Sequence, residues 1–203
     1  ITKEELATTR EHAVALAQRI GYPVVLKVQS PDISHKTEAR GVRLGLASDA
    51  AVGAAYDEIL RNAKAYKSDA RIDGILVQEM VSGGIEAILG VTNDKLFGPA
   101  VMFGLGGIFA EVLKDVAFRI APVTKSVALE MIAEIKGYAV LTGARGAAHA
   151  DVDALADTIV RLSALSIDLK DFVAELDINP LFVFPKGQGV KAGDALIKPL
   201  VRE

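Results

Sequence analysis

Residues 21–46 read GYPVVLKVQSPDISHKTEARGVRLGL. Gly21 and Pro23 stop a helix predicted over Thr9–Ile20, where Ala13, Val14, Leu16, Ala17 and Ile20 recur at helical spacing. Val24–Val28 then forms a nearly continuous β-branched run, the pattern of a buried strand, with Lys27 as its one charge. The following QSPDISHKTEAR is too polar for a core, and Val42, Leu44 and Leu46 alternate with Arg43 and Gly45 as a second strand. Two strands thus flank a polar loop that holds Asp32, His35, Lys36 and Thr37.

Working outward, Ser48 is positioned to cap a helix running to Tyr66. Gly74–Val81 reads as a strand, Ser82-Gly83-Gly84 as a turn, and Ile85–Val91 as its hairpin partner. Gly98–Phe103 is a further apolar strand ending in Gly104-Leu105-Gly106-Gly107, and helices are expected from Thr124 to Ile135 and from Asp151 to Leu165. Strands are expected in Phe172–Phe184 and Asp194–Ile197. Helices mixed with hairpins predict an α+β fold of two lobes, divided as 1–75 and 76–203.

Composition narrows the function. The 203 residues carry 26 acidic and 23 basic side chains, a formal net charge of -3, so the electrostatic attraction on which nucleic-acid binding rests is missing. Without cysteine there are no disulfides, thiolate metal sites or thiol nucleophiles, which fits an intracellular setting. The longest uncharged run, Gly98–Ala110, is too short for a bilayer, and the N-terminal ITKEELATTREH has no signal-peptide pattern; a cytoplasmic protein without a membrane partner is expected. The P-loop and dinucleotide fingerprints are absent, since Phe109 breaks G-x-G-x-x-G at its last position.

Five constellations remain, one of them Gly104–Gly107, whose glycines allow close backbone approach or simply make a turn at a strand end. Lys27, in an apolar strand, either snorkels from a sheet edge or meets a phosphate. His35, among hydroxyls, a carboxylate and Lys36, suits an imidazole that accepts a phosphoryl group, although a solvated loop histidine reads the same. Period-two alternation sends Glu175, Asp177 and Asn179 to one face of a strand, with Asp194 on a nearby one; such oxygen donors suit Mg²⁺ bound with a nucleotide, or a plain solvent edge. Val77–Val81 is a strand end whose backbone can meet an adenine edge. Met80, Met102 and Met131 read as core packing, and neither His12 nor His149 is given a role.

Taken in order, GYPVVLKVQSPDISHKTEARGVRLGL, ILVQEMVSGGIEAILG, FGPAVMFGLGGIFAEVLKDVAFRIAPV, LTGARG and ELDINPLFV resemble the ATP-grasp subunit or domain of the NDP-forming (ADP-forming) acyl-CoA synthetases, relatives of succinyl-CoA synthetase. The resemblance implies an ATP-grasp fold of two α/β lobes with nucleotide bound between them, and ATP/ADP and Mg²⁺ as cofactors. It implies a relay in which phosphoryl passes between ATP and histidine, coupled to formation of acyl-CoA from acid and CoA. His35 matches the histidine at the nucleotide end and Lys27 the phosphate-contacting lysine. Glu79, Met80 and Val81 match the adenine-binding hinge, Glu86 the ribose contact, and Asp177, Asn179 and Asp194 the metal-binding set.

One departure is local: the family commonly has two glycines before Val-x-Leu, whereas Arg40 precedes Gly41 here. The family's CoA-binding and CoA-ligase domains, which bind the acyl acid and CoA, do not match any part of these residues. They are expected in the same or a separate chain, with an oligomer as the working assembly. The start at Ile1 is expected to mark a trimmed or partly represented module. The competing expectations are a regulatory ATP-grasp module of a protein lysine acetyltransferase, in which the histidine loop would be degraded, and a generic carboxylate ligase, which has no need of the SPDISHK loop.

Overall fold

The computed structural model describes residues 1–33, 35–107, 113–146 and 148–200. Ser34 of the histidine loop, residues 108–112 of the FGPAVMFGLGGIFAEVLK stretch, Ala147 and the last three residues lie outside that description. The chain divides into two compact units, Thr2–Ser82 and Gly83–Glu203.

The first unit runs β1 (Glu4–Ala7), α1 (Arg10–Ile20), β2 (Val24–Gln29), β3 (Val42–Leu46), α2 (Asp49–Tyr66) and β4 (Gly74–Glu79). The strands form an antiparallel sheet in the order β1-β4-β2-β3. Both helices begin where the side-chain caps predict: Thr9 Oγ1 accepts the His12 N–H at 3.1 Å, and Ser48 Oγ accepts the Ala51 N–H at 3.3 Å. Gly21, at φ +102°, ends α1 in a conformation that a side chain would resist. Val24, Leu26 and Val28 of β2 and Ile75 and Val77 of β4 pack with Leu16, Val52 and Ile59 of the helices. Burying each large aliphatic chain stabilises the unit by about 1.5–3 kcal/mol. Val25, Lys27 and Gln29 therefore fall on the face away from α1 and α2.

One element lies outside the sequence expectations and one expectation fails. Glu4–Ala7, unrecognised as a strand, becomes the edge strand β1; three of its four residues are exposed, so the apolar pattern that marks a strand is missing. The turn Ser82-Gly83-Gly84 does not close a hairpin, because β4 is flanked on both edges by β1 and β2 and β5 enters a different sheet. All of β4 lies in the first unit.

The second unit contains β5 (Ile85–Asp94), β6 (Gly98–Leu105), β7 (Val116–Ile120), α3 (Lys125–Glu134), α4 (Tyr138–Leu141), a 3₁₀ turn (Ala144–Gly146), α5 (Val152–Asp168), β8 (Val173–Val183), β9 (Val190–Ala192) and β10 (Ala195–Pro199). Its antiparallel sheet has the order β10-β8-β5-β6-β7, with β9 also paired to β8. Leu89, Val91, Phe103 and Leu176 face Met131 and Ile132 of α3 and Leu155 and Ile159 of α5, forming one core. Met131 is fully buried as expected, but Met80 is 39% exposed and Met102 is only half-buried, on the sheet face away from the helices. The order of elements gives the expected α+β architecture.

Asp151 ties this unit together. It caps α5, its Oδ1 accepting the Ala154 N–H at 3.2 Å, while Oδ2 accepts the N–H groups of Gly187 and Gly189, each at 2.9 Å. One buried carboxylate thus fixes the helix start to the turn between β8 and β9. These backbone bonds, led by that of Gly189, hold the carboxyl below its usual range.

Candidate functional site

In the first unit the histidine loop is an excursion from a closed ladder. The Val28 N–H donates to the Gly41 carbonyl at 2.8 Å, so β2 and β3 are joined directly below it. On the way out Asp32 N–H donates to Ser30 Oγ at 3.1 Å and Ile33 enters the core; on the way back Ala39 does the same. His35 lies exposed between these two anchors.

The return is a single helical turn. Ala39 N–H donates to the His35 carbonyl at 3.2 Å, Arg40 N–H to Thr37 at 2.9 Å and Gly41 N–H to Lys36 at 2.8 Å. The last two bonds make a Schellman ending, whose left-handed position is usually glycine. Arg40 occupies it at φ +50°, its carbonyl accepting Asn62 Nδ2 at 3.1 Å. Gly41 is required for space instead, because a Cβ there would lie 2.5 Å from Val28 Cγ1. Of the two glycines in the resemblance, the second meets a steric need. The first meets a conformational one, which Arg40 satisfies at a strain of about 1 kcal/mol.

Lys27 is 8% exposed and comes from β2, an interior strand, so it is not an edge lysine snorkelling to solvent. Further along the sheet, the Glu79 N–H donates to the Lys3 carbonyl at 2.9 Å, and Glu79 Oε1 accepts the Lys3 N–H at the same distance. Met80 N–H donates to Pro23 at 3.2 Å and Val81 follows, half-buried. Gln78, within the same motif, donates from Nε2 to Thr2 Oγ1 at 2.8 Å and to Glu4.

In the second unit the carboxylates gather on the sheet face away from the helices. Asp177 of β8 lies opposite Gly90 of β5, which lies opposite Met102 of β6; Glu86 shares this face and is exposed. Asp194 precedes β10, and its carbonyl accepts the Asn179 N–H at 3.2 Å. The expected alternation fails at Asn179: a bulge sets Asn179 and Pro180 against the single residue Ile88, so Asn179 leaves the two-residue period. Glu175 is diverted as well, its carboxylate taken by Lys198 Nζ at 2.6 Å. Asp177 and Asp194 are thus near enough for their charges to interact, Asn179 is tied to Asp194 through backbone, and Glu175 is engaged elsewhere; among the described residues no three His, Cys, Asp or Glu side chains form a metal cluster.

Burial raises the Asp177 carboxyl above its usual range, the charge of Asp194 raises it further, and Lys198 opposes them. Carboxylate and amide oxygens of this kind are hard donors, the type that Mg²⁺ takes. Gly90 is a residue that the motif reading overlooked. A Cβ there would stand 3.2 Å from Met102 Cε and 3.9 Å from Asp177 Oδ1, so the missing side chain leaves backbone bare beside the carboxylate. A glycine inside a strand is the available sequence signal for such an approach.

Comparison with known proteins supplies context. The ATP-grasp domain family matches residues 1–198. The beta subunit of ADP-forming acetate–CoA ligase II from Pyrococcus furiosus is 48% identical over 197 residues, covering 97% of this chain and 84% of that subunit. A dinucleotide-forming acetyl-coenzyme A synthetase 1 from Ca. Korarchaeum cryptofilum, in complex with coenzyme A, Ca-AMPCP and HgCl+, superposes with a TM-score of 0.93 at 43% identity, covering 98% of this chain and 86% of that one. The same synthetase with coenzyme A and Mg-AMPPCP, described with its phosphohistidine segment pointing towards the nucleotide binding site, gives 0.82 at 40% identity, covering 98% and 85%.

Proposed function

Because the chain belongs to the ATP-grasp family, in the branch of the ADP-forming acetate–CoA ligase beta subunits, we propose that it is the nucleotide-binding module of an ADP-forming acyl-CoA synthetase. The overall reaction is acid, CoA and ATP to acyl-CoA, ADP and phosphate, and this chain carries the exchange of phosphoryl between ATP and histidine. The observation that carries the proposal is His35, held exposed between two buried anchors in a chain that aligns over nearly its whole length with such a subunit.

The neutral imidazole of His35 attacks the γ-phosphorus, a P–N bond forms, and the bond to the ADP oxygen breaks as ADP leaves. Lys27 supplies positive charge to the phosphates, more effective for being buried. The backbone of Glu79, Met80 and Val81 holds adenine and Glu86 the ribose. Asp177, Asn179 and Asp194 hold Mg²⁺, which neutralises phosphate charge when bound; the crowding of Asp177 by Asp194 supports that assignment. CoA-binding and CoA-ligase domains supply the acyl and CoA sites, in an oligomer. Among the described residues no helix is long and apolar enough to cross a membrane, which is compatible with work in the cytoplasm. The intact histidine loop and the ligase relatives favour catalysis over a regulatory acetyltransferase module.

The test is incubation of the chain, with its ligase domains, with γ-labelled ATP and Mg²⁺. Acid-labile, base-stable phosphate should appear on the protein and vanish in His35→Ala; equal labelling of that variant refutes the relay assignment. Calorimetry of Asp177→Ala should show loss of Mg²⁺-dependent nucleotide binding.

A further inference from the structure

The turn that presents His35 is held on its outgoing side by a side chain with no place in the phosphoryl chemistry. Asp32 Oδ2 accepts the backbone N–H of Arg71 at 2.7 Å, and Oδ1 faces Lys67 Nζ at 3.8 Å. Both partners belong to the connection between α2 and β4, 35 or more residues further along the chain. That connection is itself well fixed. Lys64 Nζ donates to the Ala70 carbonyl at 3.0 Å, Ala70 N–H to Lys67 at 3.1 Å, and Asp73 N–H to Gln29, the last residue of β2, at 2.8 Å. Asp32 therefore bonds the foot of the loop to a framework anchored on α2 and β2. A bond from a backbone N–H to an ionised carboxylate is stronger than a neutral one, whereas the partly exposed Lys67 contact contributes little.

The return side is built differently. It relies on the Schellman turn, which spends backbone strain at Arg40, and on Ala39, whose buried methyl is a small anchor. Removing Asp32 would leave Ile33 as the outgoing anchor, with the Arg71 N–H losing its acceptor.

We propose that Asp32 is a positioning residue: by bonding the Arg71 N–H beside Lys67, it fixes the base from which the His35 imidazole is delivered to phosphate. This rests on His35 being the phosphoryl carrier, but the structural half can be tested without it. Limited trypsin digestion of the full chain reads release of the loop through cleavage after Lys36. In Asp32→Ala that cleavage should rise about tenfold, as loss of a charge-assisted bond shifts the open population, while cleavage after Arg161 in α5 stays constant. Asp32→Asn, which keeps an acceptor for Arg71, should lie close to the parent, and Lys67→Met should change little. If Asp32→Ala does not fold, Asp32→Ser, which removes the carboxylate, takes its place, and a parental cleavage rate in it overturns the proposal. So does an increase at Lys36 matched by one at Arg161.

The functional half is single-turnover labelling of His35 from ATP in the complete synthetase. Asp32→Ala should slow labelling several-fold with an unchanged KM for nucleotide, and Asp32→Asn should recover most of the rate. A raised KM with an unchanged rate refutes positioning. If the parent chain does not label at all, the relay assignment fails, while the digestion result still decides whether Asp32 holds the loop.

Discussion

Replacing Asp151 by Ala removes three hydrogen bonds at once. The cap on Ala154 is of the type worth about 1 kcal/mol. The Gly187 and Gly189 N–H groups lose an ionised acceptor in a site where Asp151 is 7% exposed, at about 1–2 kcal/mol each. The sum is roughly 3–5 kcal/mol, or a fall in Tm of roughly 6–20 °C at about 2–4 °C per kcal/mol. Asp151→Asn should lose less, because one oxygen still caps the helix while its NH₂ faces two donors. Acid unfolding gives an independent check. The native carboxyl lies below its usual range, so the unfolded state binds the proton more readily and stability rises with pH. The contribution is complete above about pH 4, the ordinary carboxylate range, and is lost as pH falls through the lowered native value. Thermal scans of the parent should therefore converge on those of Asp151→Asn as pH falls towards 2. A loss in Asp151→Ala below about 1 kcal/mol, or parallel acid profiles for parent and Asn variant, refutes the role given to this carboxylate.

Arg40→Gly should relieve about 1 kcal/mol of left-handed strain, partly offset by the freedom glycine gains in the unfolded chain; thermal melts should show no loss and a gain of at most about 3 °C. Gly53→Ala in α2 should be neutral or stabilising by up to about 1 kcal/mol. The nearest atoms to the added methyl belong to the half-exposed guanidinium of Arg10, 2.6 Å away at Nε, the far end of a flexible side chain in an exposed ion pair with Asp57; denaturant unfolding decides it. Tyr22, bonded to Asp49 Oδ1 at 2.6 Å, has its phenol pushed up to about 12 by burial and by that carboxylate. Its stabilising contribution is present below about pH 10, the unfolded value, and is lost as pH rises towards 12; burial raises the Tyr56 phenol too, so ultraviolet titration of Tyr22→Phe should show one late tyrosine fewer than the parent.

The starts of the four long helices were legible to within a residue or so, because Thr9, Ser48, Thr124 and Asp151 each accept a first-turn N–H as caps, whereas the last helix runs three residues beyond the expected Leu165 to Asp168. The histidine loop was legible because a polar stretch between two apolar strands has few other places to go. What local pattern could not supply was partner choice. Nothing in Gly74–Val91 says that its two strands enter different sheets, since that is decided by which edges β1, β2, β6 and β8 occupy. The bulge at Asn179 is equally invisible to a two-residue period, and the diversion of Glu175 depends on Lys198, 23 residues away. Gly90 was readable in principle as a glycine inside a strand, but its meaning comes from Met102 and Asp177 on neighbouring strands.

The bond between Val28 and Gly41 has an architectural corollary. The chain from 30 to 40 departs from and returns to one end of the β2–β3 ladder, so the histidine loop is a cassette seated on a hairpin that is already closed beneath it. The entropy of closing a loop grows only slowly with its length, so such a cassette can be shortened, lengthened or moved to another two-stranded seat without re-registering the sheet. Its portability is limited by the small chain at Gly41, the foothold at Ile33 and the backbone N–H that Arg71 offers Asp32 from outside the hairpin, three features any recipient would have to reproduce.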